Sequence, residues 1–180
     1  MKTISQFFLV PLFFLLYAEK QAVPQNIGIG TDPVAKLEIE RKEYRHHAMI
    51  STGNQHHGHE LFASEQFACA TCHTIDGSNT KVGPDLSAIG DKMGRGDIID
   101  SILQPSATIA DGFNITWVKK KDGKEFSGIL KNATDEWIEF REAGKELVRI
   151  PTRDILNQQT IEMSLMPEGL HLGMSKQDLA

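Results

Sequence analysis

Cys69, Ala70, Thr71, Cys72 and His73 read C-x-x-C-H, and Cys69 and Cys72 are the only cysteines of the 180-residue chain. Two thiols three positions apart, followed at once by an imidazole, match the attachment signature of a c-type haem. Each thiol can form a thioether to one vinyl group of the porphyrin, and His73 is placed to ligate the iron. The expected cofactor is therefore one covalently bound haem c.

Other chemistry is open to the same residues. A structural zinc site needs four N or S ligands and usually a second ligand pair, yet there is no second cysteine pair. A redox dithiol of the thioredoxin kind sits at a strand-to-helix junction, and the residues before Cys69 do not read as a β-branched strand. A plain structural disulfide completes the set.

Five histidines, His46, His47, His56, His57 and His59, fall within fourteen residues. Imidazole suits copper or nickel, but the same run reads as a solvated polar approach to a helix. His59 is also a candidate to compete for the iron from the distal side. Downstream lies Lys81-Val82-Gly83-Pro84-Asp85-Leu86. A ligating histidine usually donates its other ring N–H to a carbonyl, which fixes the tautomer. The stiff Gly-Pro loop is close enough in sequence to supply one.

At this point the chain resembles a class I cytochrome c, in which a Gly-Pro segment after C-x-x-C-H plays that part. The resemblance implies that the Pro84 carbonyl receives the His73 hydrogen bond. It also implies a distal ligand in the Met163-Ser164-Leu165-Met166-Pro167-Glu168-Gly169-Leu170 stretch, where Met166, directly before Pro167, takes the place of the thioether donor. His/Met ligation raises the haem potential relative to two nitrogen ligands. Met163, Met174, His171 and an open distal position are the alternatives.

The elements that must hold these residues follow from periodicity. Residues 58–65 predict a short amphipathic helix leading into the motif, with Gly58 permitting a close crossing and Phe62 facing the porphyrin edge. Residues 97–103 predict a second helix, with Ile98, Ile99, Ile102 and Leu103 on one face, Asp97 as its cap and Gln104-Pro105 as its exit. Residues 115–118, 126–130, 137–140 and 147–150 predict strands, with turns at Asp122-Gly123 and Ala143-Gly144. The fold class expected is α+β: a cytochrome c-like helical haem domain with a small antiparallel β-meander inserted at about 113–150. Lys119, Lys120, Lys121 and Lys124 form a basic hairpin tip, readable either as a docking point for an acidic redox partner or as a solvated end.

In order, a G-x-x-L-F helix, C-A-T-C-H, V-G-P-D-L, D-I-I-D-S-I-L-Q-P-S-A-T-I-A, a D-G hairpin and S-L-M-P-E-G-L are similar to the haem-binding cytochrome c domain of many Planctomycetes and Verrucomicrobia proteins. The likeness covers roughly residues 58–179. Two departures stand out: no propeller or other enzymatic domain precedes the haem unit, and the end is short. Ser175 and Asp178 have the S-x-x-D form of a capping box, so a helix is predicted to begin there, yet only two residues follow Asp178. A shortened C-terminal helix is the expectation.

Residues 1–18, with Lys2 followed by an apolar run interrupted by Pro11, suit a secretory signal peptide with Ala18 or Ala22 as cleavage sites, or else an N-terminal anchor. Residues 19–50 read as a linker or arm in which Leu37 and Ile39 suggest one short strand, and residues 51–180 as the haem domain. Haem c is attached outside the bacterial cytoplasm, so export and the motif support each other. The net charge of −5 and pI near 5.8 argue against a nucleic-acid binder. The expected function is a periplasmic or otherwise exported monohaem carrier of single electrons, without catalytic residues. Its partner would be a redox protein such as a periplasmic dehydrogenase or oxidase, with membrane contact only if the N-terminal segment is retained. A haem enzyme or ligand-binding protein with an open distal site, and a haem-free thiol or metal module, are the alternatives.

Overall fold

Alternation of apolar and polar side chains from residue 115 onward is the signature of strands that bury one face. In the computed structural model, which describes residues 32–78 and 80–180, it builds one antiparallel sheet. The strands are β1 (Ile115–Lys120), β2 (Glu125–Ala133), β3 (Trp137–Arg141), β4 (Leu147–Pro151) and β5 (Ile155–Ile161). Their order across the sheet is β4-β3-β2-β1-β5. The first four form a meander, and β5 returns to the free edge of β1, pairing Ile115 with Ile161 and Val118 with Gln158. Gly123 and Gly144, with φ of +86° and +65°, make the two tight turns in the left-handed region that glycine enters without strain.

The sheet has its own core. Val118, Ile138, Phe140 and Ile150 are buried together, with Phe126, Leu130, Val148 and Ile155 packed around them. Gly128 lets β2 approach β3 closely, because a Cβ there would meet the Arg141 carbonyl oxygen at 2.6 Å. After Leu130 the ladder slips: Leu130 faces Phe140 and Asn132 faces Glu139, which leaves Lys131 as the extra residue of a bulge.

The helices are α1 (Pro33–Ile50), α2 (Gln55–Ala63), α3 (Cys69–Cys72), α4 (Ile89–Lys92) and α5 (Arg95–Leu103), of which periodicity predicts only α2 and α5. They make a separate small core in which Ala48, Ile99 and Leu103 meet Tyr44 and Leu179. Arg45 holds Asp100 through two hydrogen bonds of 2.7 and 3.1 Å. Arg95 donates to the Ala48 and Ser51 carbonyls at the C-terminal end of α1, where a cation satisfies orphan acceptors.

The expected fold class is therefore corrected. A cytochrome c-like helical domain with a small inserted meander gives way to a five-stranded antiparallel sheet accompanied by a few helices. The strand that sequence reading misses is β5, Ile-Leu-Asn-Gln-Gln-Thr-Ile, whose polar middle hides the alternation. The strand suggested at Leu37 and Ile39 is instead part of α1, which Pro33 opens from the first helical position. Few of its residues are buried, so its weak amphipathic stripe gave no helical period. Helix α2 starts at Gln55 rather than Gly58, because the Asn54 side chain caps it by accepting from the His57 N–H at 3.1 Å. Gly94, not Asp97, precedes α5, and Asp97 lies in its first turn. The Ser175/Asp178 box is made in both directions, at 2.8 and 3.1 Å, and encloses a turn. The signal segment 1–18, its cleavage sites and the arm before Asp32 lie outside the described residues. Among those described, no helix is long and apolar enough to cross a membrane.

His171 is fully buried in the 3₁₀ turn Leu170–Gly173, and its ring meets Tyr44 of α1 edge-on at 5.3 Å. Neither ring nitrogen has a hydrogen-bond partner among the described residues. Burial, and then the Arg41 guanidinium, push this imidazole below its ordinary 6.5, against the weaker pull of Glu40 and Glu168. A depressed folded value means that the neutral ring contributes its full stability above about pH 6.5 and loses it as the pH falls through that range.

Two outcomes follow from these cores. Phe140→Ala empties the centre of the sheet and should cost about 3–5 kcal/mol in a denaturant titration. His171→Phe should flatten the fall in melting temperature between pH 7 and pH 5 relative to the parent protein; an identical slope would contradict the assignment.

Candidate haem-attachment site

Chain direction is set just before the motif by Ala68, the only non-glycine residue with positive φ among those described (+53°). This left-handed residue ends the turn after α2 and starts α3, whose single turn carries both cysteines. Cys69 and Cys72 are half-buried, free and not joined to each other. Burial pushes both thiols up, although Lys81 partly offsets this at Cys72. Redox thiols show the opposite shift, and no strand leads into α3, so the dithiol reading lacks both of its requirements.

His73 leaves α3 in extended conformation. Its Nδ1 lies 2.8 Å from the Pro84 carbonyl oxygen, so Nδ1 donates and Nε2 remains as the ring nitrogen available to a metal. Three further bonds hold the two segments face to face. The Gly83 N–H donates to the Cys72 carbonyl at 2.7 Å, the Leu86 N–H to the Thr74 carbonyl at 2.7 Å, and the Thr74 hydroxyl to Asp85 at 2.5 Å. Gly83 is the contact point. A Cβ there would sit 2.8 Å from His73 Cε1 and 2.9 Å from the Cys72 carbonyl oxygen, so the absent side chain forms the seat of the imidazole.

Asp85 anchors the loop. Its carboxylate also accepts from the Gly77 and Ser87 N–H groups and the Ser87 hydroxyl, and these donors, Ser87 and Thr74 foremost, hold it far below the usual carboxylate range. Sequence reading passed over this residue, though D-x-S is a recognisable turn-forming pair. Lys81 donates to the Ala70 carbonyl and ties the loop to the motif a second time.

The residues present fit a haem c: two unlinked thiols on one turn, an imidazole with one nitrogen committed to a carbonyl, and a glycine seat behind it. Of the five residues expected at the site, the fold brings Cys69, Cys72, His73 and Pro84 together. Met166 lies half-buried in the loop after β5, where its N–H donates to Ser164 Oγ at 3.1 Å and the Ser164 N–H to Ser106 Oγ at 3.3 Å. It does not line the cleft of about 280 Å³ beside His73, whose walls include His59, Phe62 and Lys81.

Three of the other histidines are engaged elsewhere. His57 bridges Asp178 at 2.9 Å and Glu60 at 3.6 Å, a pairing that pushes its imidazole up, while His56 faces Glu60 and His47 meets Gln177. Among the described residues no group of three or more His, Cys, Asp or Glu side chains is gathered to hold a metal ion. The basic hairpin tip is largely neutralised: Lys119 pairs with Glu125, and Lys120 and Lys124 with Asp122. No protein-family model matches the chain, and no curated protein matches it.

Gly83→Ala should destabilise the protein by about 1–3 kcal/mol through overpacking. It should also reduce the fraction carrying haem, read as the ratio of haem-loaded to unloaded mass. Full loading at parental stability would show that the seat is not needed.

Proposed function

We propose that the protein is an exported carrier of single electrons that binds one haem c through Cys69 and Cys72, with His73 as the proximal ligand. The observation that carries the reading is the 2.8 Å contact between His73 Nδ1 and the Pro84 carbonyl within the C-x-x-C-H turn. It leaves Nε2 free while fixing the tautomer that metal ligation requires. When bound, the haem supplies the one-electron couple. The chain's own residues attach it, orient His73 and exclude water from its proximal side.

Met166 is proposed as the distal ligand. No nucleophile or acid–base pair is asked of the protein, since a carrier needs only a stable couple and an exposed haem edge. The function does not depend on a cytochrome c fold, because thioether attachment requires the C-x-x-C-H turn and not a particular helical scaffold. A redox protein outside the cytoplasm is the proposed partner, and the N-terminal segment is proposed to direct export.

The rival reading, a haem protein with an open distal position that acts on a small ligand, is favoured by the cleft beside His73. Exported protein should exceed the mass of its polypeptide by one haem; a mass equal to the bare chain would refute the proposal. Met166→Ala should convert a six-coordinate spectrum into a five-coordinate one and lower the midpoint potential. A spectrum unchanged by that substitution would exclude Met166 as ligand, and a five-coordinate parent would favour the rival.

A further inference from the structure

Two cations of the sheet reach out of it to the loop behind His73. The Lys131 ammonium donates to the Val82 carbonyl at 3.4 Å, and the Arg141 guanidinium donates through Nη1 to the Thr80 carbonyl. These carbonyls lie two and four residues before Pro84, on the loop whose Gly83 touches the imidazole. Neither contact follows from ordinary strand geometry. Lys131 is the extra residue of the β2 bulge, and a bulge re-aims the side chain it carries. Its ammonium also lies 4.8 Å from the centre of the Phe113 ring, which favours a cation at that point.

The arrangement is costly in itself. Both cations spend their charge on neutral carbonyls, and neither has a carboxylate in ion-pair contact among the described residues. They also repel: burial and then the Arg141 charge hold Lys131 below its ordinary value. Arg141 Nε is buried without a partner. Like charges that act on each other disfavour the charged form unless something offsets them. Charge-assisted bonds to the loop offset part of that cost and restrain the loop more firmly than neutral donors would.

We infer that Lys131 and Arg141 are positioning residues for the haem ligand: by clamping residues 80–82 they hold the Pro84 carbonyl on His73 Nδ1, and their charges favour the reduced state of the iron. This inference rests on the proposed function and names the residues that tune it. The sheet is thus a part of the redox site and not an appendage to it. A less positive iron is favoured by nearby cations; a firmly held proximal N–H···O bond acts the other way by making the ligand more basic, so the exchange rate reads the clamp and a fall in potential reads the lost charge.

The test uses the exported, haem-loaded protein with Lys131→Met, Arg141→Gln and the conservative Lys131→Arg and Arg141→Lys. Lys42→Met, an exposed cation of α1, is the control. The readouts are intact mass, midpoint potential, and the exchange rate of the His73 Nδ1–H with solvent. Expected are full haem mass, a lower potential, and roughly tenfold faster exchange in the two neutral variants, as loss of a charged hydrogen bond implies. Recovery is expected in the conservative pair, and no change in the control.

A potential and exchange rate unchanged by both neutral variants, or shifted equally by the control, would overturn the clamp while leaving the haem reading intact. If a neutral variant fails to load haem, its conservative partner decides: parental potential and exchange support the clamp, and failure to load overturns it. A parent protein without haem overturns the functional reading and the clamp with it.

Discussion

The seat of the His73 imidazole between its own turn and the 83–86 loop is the constraint on which the site depends. An imidazole can ligate a metal through only one nitrogen if the other is committed, and the Pro84 carbonyl makes that commitment at 2.8 Å. For the carbonyl to be there, the loop must approach within van der Waals contact of the ring, which only glycine at position 83 permits. For the loop to stay there, its own polar groups must be satisfied. The Cys72 and Thr74 carbonyls and the Asp85 carboxylate provide this, so the same bonds that fold the loop also aim the His73 ring.

That constraint explains where the charged residues are placed. Asp85 is kept ionised by its hydrogen-bond donors, Ser87 and Thr74 foremost, and so fixes the loop. Cations add further ties, Lys81 from the loop onto the Ala70 carbonyl and Lys131 and Arg141 from the sheet. Elsewhere the surface charges pair locally, as Arg149 does with Glu139 and Lys145 with Glu142. Among the described residues, the two sheet cations without an ion pair, Lys131 and Arg141, both meet the loop that seats His73.

Legibility in the sequence followed the range of the interactions. Contacts close along the chain were readable: C-x-x-C-H is five consecutive residues, and four strands announced themselves through alternation and glycine turns. Pro84 stands eleven residues from His73, near enough for the Gly-Pro loop to be considered. What escaped depended on distant partners. Strand β5 is polar in the middle and exists because the β1 edge offers hydrogen bonds. Helix α1 buries little beyond Ala48, so it shows no helical period, and it is held by Arg45, Arg95 and Tyr44 contacts that no local pattern encodes.

The fold class departs from expectation for a related reason. Motifs that report on attachment chemistry do not report on the scaffold: C-x-x-C-H specifies one turn and its neighbour loop and nothing about the rest. Here the rest is a sheet with its own apolar core, separate from the core beneath α1 and α5. Two cores in one small unit need a mechanical link if the sheet is to influence the helical side. The bulge at Lys131 supplies it, because a regular ladder would have left that side chain in the alternation of β2 and out of reach of Val82. An irregularity invisible in the sequence, together with Arg141, therefore ties the sheet to the loop that seats His73.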